Sequence, residues 1–128
     1  METLETGKVR ITPEENQYLL FTLYNDGEVT SDDMSDIREY LAQFDGKVSL
    51  LVLRESYYSF SSEALLIMTR EAGSMINAVA YVDRSPQDKL LSEYAEKTYL
   101  RNIPVQSFQS QDEAASWFEQ YGPLPSRL

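Results

Sequence analysis

The chain has 128 residues, 42% hydrophobic and 25% charged, enough for one compact domain with its own core. It contains neither cysteine nor histidine, which excludes a disulfide framework and thiolate chemistry and removes the usual zinc ligands and the commonest general base. Eleven Lys+Arg against 21 Asp+Glu give a net charge of −10, which repels a phosphate backbone, so no nucleic-acid partner is expected.

In chain order, "KVRIT" (8–12) and "QYLLFTLY" (17–24) read as strands joined by the turn-like "PEEN". The second has too many consecutive apolar residues for a half-exposed strand, and a central place in a sheet is expected. "NDG" breaks it. Thr30 or Ser31 is a helix N-cap with Asp32 and Asp33 in the first turn, and Met34, Ile37, Leu41 and Phe44 recur at helical spacing up to Gly46.

"VSLLVL" (48–53) is a short buried strand. Ser61 or Ser62 opens a second helix with Leu65, Leu66 and Met68, expected to end at Gly73, and "INAVAYV" (76–82) is the next strand. Ser85-Pro86 caps and starts a third helix running through Leu90, Leu91, Tyr94 and Tyr99. "IPVQSF" (103–108) is a last strand, placed at an edge by Pro104. Ser110 and Glu113 form a capping box for the helix of Ala114, Trp117 and Phe118, closed by Gly122 and Pro123.

The order β-β-α-β-α-β-α-β-α predicts an α/β single domain with a mixed, mostly parallel sheet covered by helices. Its core spans about residues 8–121, and residues 123–128 are expected to form a loose tail. No apolar run reaches the roughly 20 residues of a membrane span. The opening "METLETGKVR" lacks the layout of a signal peptide, so a cytoplasmic setting is expected.

Catalytic chemistry is hard to find. The carboxylate pairs Asp32/Asp33 and Asp112/Glu113 fall in predicted first turns, where dipole compensation accounts for them. The five glycines are scattered, so no phosphate-cradling loop forms, and no serine has a candidate base beside it. No enzyme activity, cofactor or metal is expected. A binding site is more plausible where strand 48–53 hands over to the next helix. Ser61 and Ser62 lie at a helix N-terminus that attracts anions, Tyr57 and Tyr58 supply contact area, and Arg54 and Arg84 follow successive strands at the same sheet end, where a shared crevice is expected.

This layout resembles the STAS domain of anti-sigma-factor antagonists over residues 8–121, and more closely its SpoIIAA-like branch of uncharacterised bacterial proteins. In antagonist domains an Asp-Ser-Ser/Thr-Gly motif opens the helix and its second hydroxyl is phosphorylated. Here "Phe60-Ser61-Ser62-Glu63" occupies that place, aligning Ser62 with the phosphoacceptor while Phe60 and Glu63 replace the aspartate and glycine. The SpoIIAA-like branch is matched by "Ser62-Glu63-Ala64" and by "Ile103-Pro104-Val105", Phe108, "Glu113-Ala114" and Trp117. The resemblance implies a SpoIIAA-like fold and a non-catalytic regulatory module with a protein partner. The alternative it implies is a carrier or sensor of a small apolar or anionic ligand, held in a cavity lined by residues such as Leu65, Met68, Leu90 and Tyr94. A homodimer is also expected, through the hairpin edge near "KVRIT" or the helix carrying Tyr94 and Tyr99.

Overall fold

Every apolar run identified above becomes a strand of one six-stranded sheet. The computed structural model describes residues 2–128. The strands are β1 (Leu4–Glu5), β2 (Val9–Glu14), β3 (Tyr18–Leu23), β5 (Val48–Arg54), β7 (Ile76–Val82) and β8 (Val105–Phe108), in that spatial order. The first three pair antiparallel and the rest parallel. Glu15 and Asn16 close the β2–β3 hairpin with φ of +46° and +57°, and Gln17 N–H donates to Glu14 O at 2.9 Å, a type I′ turn that suits strand twist. The short β1 covers β2, so the "KVRIT" strand is not the exposed edge that the sequence suggested.

The helices are α1 (Ser31–Leu41), α2 (Ser62–Met75), α3 (Pro86–Lys97) and α4 (Gln111–Phe118), the last running into a 3-10 turn (Glu119–Tyr121). Because β5 is buried on both faces, its side chains alternate between two cores. Val48, Leu50 and Val52 join Met34, Ile37, Leu41, Ala72 and Ala95 beneath α1, α2 and α3. Leu51 and Leu53 join Ala78, Ala80, Ala114 and Phe118 beneath α4, where the small side chains of β7 make room for the fully buried Phe118 ring.

Caps set the helix starts. Thr30 accepts from Asp33 N–H while the Asp33 carboxylate accepts from Thr30 N–H, a reciprocal box, and Ser61, Ser85 and Ser110 cap the other three helices. Lys8 Nζ lies 2.7 Å from Asp33 Oδ2. Burial opposes the ionisation of Asp33, but the bonds from Lys8 and Thr30 outweigh it and hold the carboxyl below its ordinary pKa.

Helix α1 stops at Leu41 and α3 at Lys97, short of the Phe44 and Tyr99 that the helical spacing included, because the chain turns there. Two further boundaries also differ from the sequence reading. Helix α2 continues through Gly73 to Met75, because its last turn packs Met75 against the core and leads straight into β7. The tail is docked, not loose. Leu124 is buried and its N–H donates to Asn16 O at 2.9 Å, Phe44 and Arg127 form an antiparallel bridge, and the Arg127 guanidinium lies 5.3 Å from the Tyr40 ring centre and 5.1 Å from that of Phe44.

Candidate functional site

The tyrosine stretch is not a free loop. Residues Gly27–Val29 (β4) and Tyr58–Phe60 (β6) pair as a small parallel sheet, and Tyr57 N–H donates to Asp26 Oδ1 at 3.0 Å. This pins the β5–α2 connection over the C-terminal ends of β3 and β5. The sequence offered little signal for it, since three-residue strands carry no readable period.

Within this frame the predicted site residues part company. Arg54 is turned inward, its side chain 3% exposed. Its Nε donates to Tyr58 Oη at 2.9 Å, and its Nη1 donates to Asp83 Oδ1 at 3.2 Å and Ser92 Oγ at 3.1 Å. Its guanidinium stacks 4.3 Å from the Tyr81 ring centre. Ser92 Oγ donates to Asp83 Oδ1 at 2.7 Å, while Arg54 Nη2 and Asp83 Oδ2 are buried without a protein partner. Asp83 and Ser92 went unnoticed in the sequence because their partner lies 29 and 38 residues away.

Tyr57 points to solvent, 81% exposed. Ser61 Oγ accepts from Ala64 N–H at 3.1 Å as the cap of α2, and Ser62 is exposed at the first helical position. Arg84 is exposed and gives its backbone N–H to Asp88 Oδ2 at 3.0 Å. Arg54 and Tyr58 are therefore brought together, with Ser61 at the end of the same short strand. The crevice expected between Arg54 and Arg84 is closed by Asp83 and Ser92, which draw Arg54 into the fold.

Next to this cluster a narrow apolar slot runs between α1 and α2 above the sheet. Its volume is about 90 Å³, and it is lined by Met34, Ile37, Leu41, Val52, Met68, Ala72 and Met75 among others. Tyr58, Phe60, Tyr81 and Tyr99 also line it, as do Arg38 and Glu71, whose ion pair at 2.7 Å ties α1 to α2. Burial raises the Tyr81 hydroxyl well above its ordinary pKa and, with Tyr58 beside it, pushes Tyr99 up to about 12, so both stay neutral and apolar-compatible near pH 7. Of the four lining residues expected from sequence, Met68 alone takes part. Leu90 and Tyr94 stand outside, 66% and 58% exposed, because the inward face of α3 is made by Ser92 and Ala95.

The mixed sheet with its covering helices and crossovers defines a SpoIIAA-like fold. A crystal structure of an uncharacterized protein from the DUF3478 family of Shewanella loihica PV-4, itself described as having a SpoIIAA-like fold, superposes with a TM-score of 0.58. It does so at 17% sequence identity, over 86% of this chain and 91% of that one. The chain belongs to the family described as Domain of unknown function (DUF7793), whose model matches residues 14–122. No curated protein matches it. No helix among the described residues is long and apolar enough to cross a membrane.

Proposed function

We propose that this domain is a non-catalytic, cytoplasmic regulatory module that works by binding another protein. The observation that carries this reading is the outward face of α3, where Leu90, Leu91 and Tyr94 are exposed on the side of a helix that normally carries charge. Tyr57 adds a further exposed aromatic ring. A non-catalytic role is supported by the absence of His and Cys from the sequence and by the commitment of Ser61, Ser85 and Ser110 to capping. The partner can be a second copy, since residues 83–101 carry four basic and four acidic side chains and are locally neutral in a chain of net charge −10.

The test compares wild type with Leu90→Ser/Tyr94→Ser and with Tyr57→Ala, first checking helicity by circular dichroism. Affinity capture from the source cells and sedimentation velocity are then run on all three. The reading expects a captured protein or a dimer that the α3 variant loses while remaining folded. Capture unchanged by every variant, together with only the 14.7 kDa monomer in sedimentation, would remove it.

A second reading is favoured by the slot. At about 90 Å³ it is smaller than the roughly 150 Å³ cavity that admits benzene, so its occupant would be a short alkyl end or an atom such as xenon. Ala72→Leu fills the slot. Under this reading xenon perturbs the NMR resonances of slot residues in wild type and leaves the variant unmoved. Identical responses sink it.

A further inference from the structure

A second hollow, of about 130 Å³, lies on the far side of Tyr99, between the outward face of α2 and the connection from α3 to β8. It is polar. Its walls are Thr69, Arg70 and Gly73 of α2 together with Thr98, Tyr99, Arg101, Asn102 and Ile103. We propose that this hollow is a binding site for a phosphate group, either free or as the terminal group of a small phosphorylated molecule.

Two independent observations carry it. The first is charge. The five ion pairs among the described residues use Lys8, Arg10, Arg38, Arg54 and Arg127. Arg70 and Arg101, like Lys47, Arg84, Lys89 and Lys97, belong to none of them. What sets Arg70 and Arg101 apart from the other unpaired cations is that both line one polar hollow, between α2 and the α3–β8 connection. Guanidinium is the group whose planar fork matches phosphate oxygens two at a time. The long-range repulsion from the −10 net charge is screened beyond about 8 Å at physiological salt, so the local pair of cations decides contact.

The second observation is Gly73. A glycine inside a helix is costly relative to alanine and calls for a reason. Helix α2 passes through Gly73 without ending there. A side chain built at this position would meet nothing within 4 Å, so packing against a neighbour does not explain the glycine. Gly73 lines the hollow, and the space beside it is open. Arg70, Arg101 and Asn102 bring guanidinium and amide donors to its lining. The threonine hydroxyls are turned away, Thr69 Oγ1 donating to Leu65 O at 2.8 Å and Thr98 Oγ1 to Tyr94 O at 2.6 Å.

The experiment measures thermal unfolding in sodium phosphate against sodium chloride at matched ionic strength, with amide NMR shifts mapped in parallel. The proteins are wild type, Arg70→Gln/Arg101→Gln and Gly73→Glu; all three substituted positions are exposed. For wild type, phosphate tenfold above its Kd should raise the Tm by about 5 °C and move the amides of Gly73 and Asn102. Both variants should lose the response, the second because it places a carboxylate in the hollow. Glycerol phosphate is the second probe. Binding at least as tight as inorganic phosphate identifies a phosphorylated molecule as the ligand, and binding of inorganic phosphate alone identifies the free ion. No difference between phosphate and chloride, or an equal response in the double-arginine variant, overturns the site.

Discussion

Arg54 shows how one residue changes meaning once it is placed. Next to a tyrosine pair it has the composition of an anion-seeking surface, but its side chain is 3% exposed and its charge is met by Asp83 and Ser92. Removing one partner of a buried pair strands the other, which typically costs about 3–5 kcal/mol. Arg54→Met is therefore expected to lower the unfolding free energy measured in urea by that much, with Arg54→Met/Asp83→Leu recovering a large part. A single variant as stable as wild type would mean that the pair is not closed in solution. Tyr99 gives a second check. Its pKa is raised to about 12 by burial and by Tyr58, so its contribution to stability is complete below pH 10, declines above it, and is lost as pH passes about 12. Alkaline titration by tyrosinate absorbance should place Tyr99 among the last of the tyrosines to ionise, with stability falling in that window. Early ionisation, near pH 10, would contradict its burial.

At the level of single elements, the start of α2 separates two hydroxyls that the sequence treats alike. Ser61 is the cap and Ser62 the first helical residue, exposed. Ser61→Ala should cost about 1 kcal/mol in denaturant unfolding, whereas Ser62→Asp should be neutral or stabilising by a few tenths, since negative charge suits a first turn. Equal losses from the two changes would reassign the cap. The same element shows why its C-terminal limit was misread. A glycine late in an amphipathic pattern resembles a stop, yet Met75 reaches the core and the turn that follows is dispensed with, because Ile76 begins β7 directly. Similarly, β4 and β6 are too short for periodicity and exist because each supplies the other's hydrogen bonds.

For the molecule as a whole, the docked C-terminal segment is the feature with the clearest consequence. Leu124 is buried, and Arg127 stacks on Tyr40 and Phe44 while donating to the Tyr40 hydroxyl at 3.0 Å. Leu124→Ala should cost about 2–5 kcal/mol, the range for a buried leucine, read as a drop in Tm without loss of the sheet's far-ultraviolet signal at low temperature. A change within error of zero would show the segment to be dispensable. The sequence by itself determined the order of the long elements, the parallel character of the sheet and all four helix caps to within a residue. Those features rest on period, capping chemistry and turn residues, all of which act within a few positions along the chain. The tertiary structure alone decided that Arg54 faces inward, that the tail is part of the core, that a slot lies under α1 and α2, and that Arg70, Gly73 and Arg101 share one hollow. Each of these depends on partners brought together from separate elements, and no local propensity carries the distance between them.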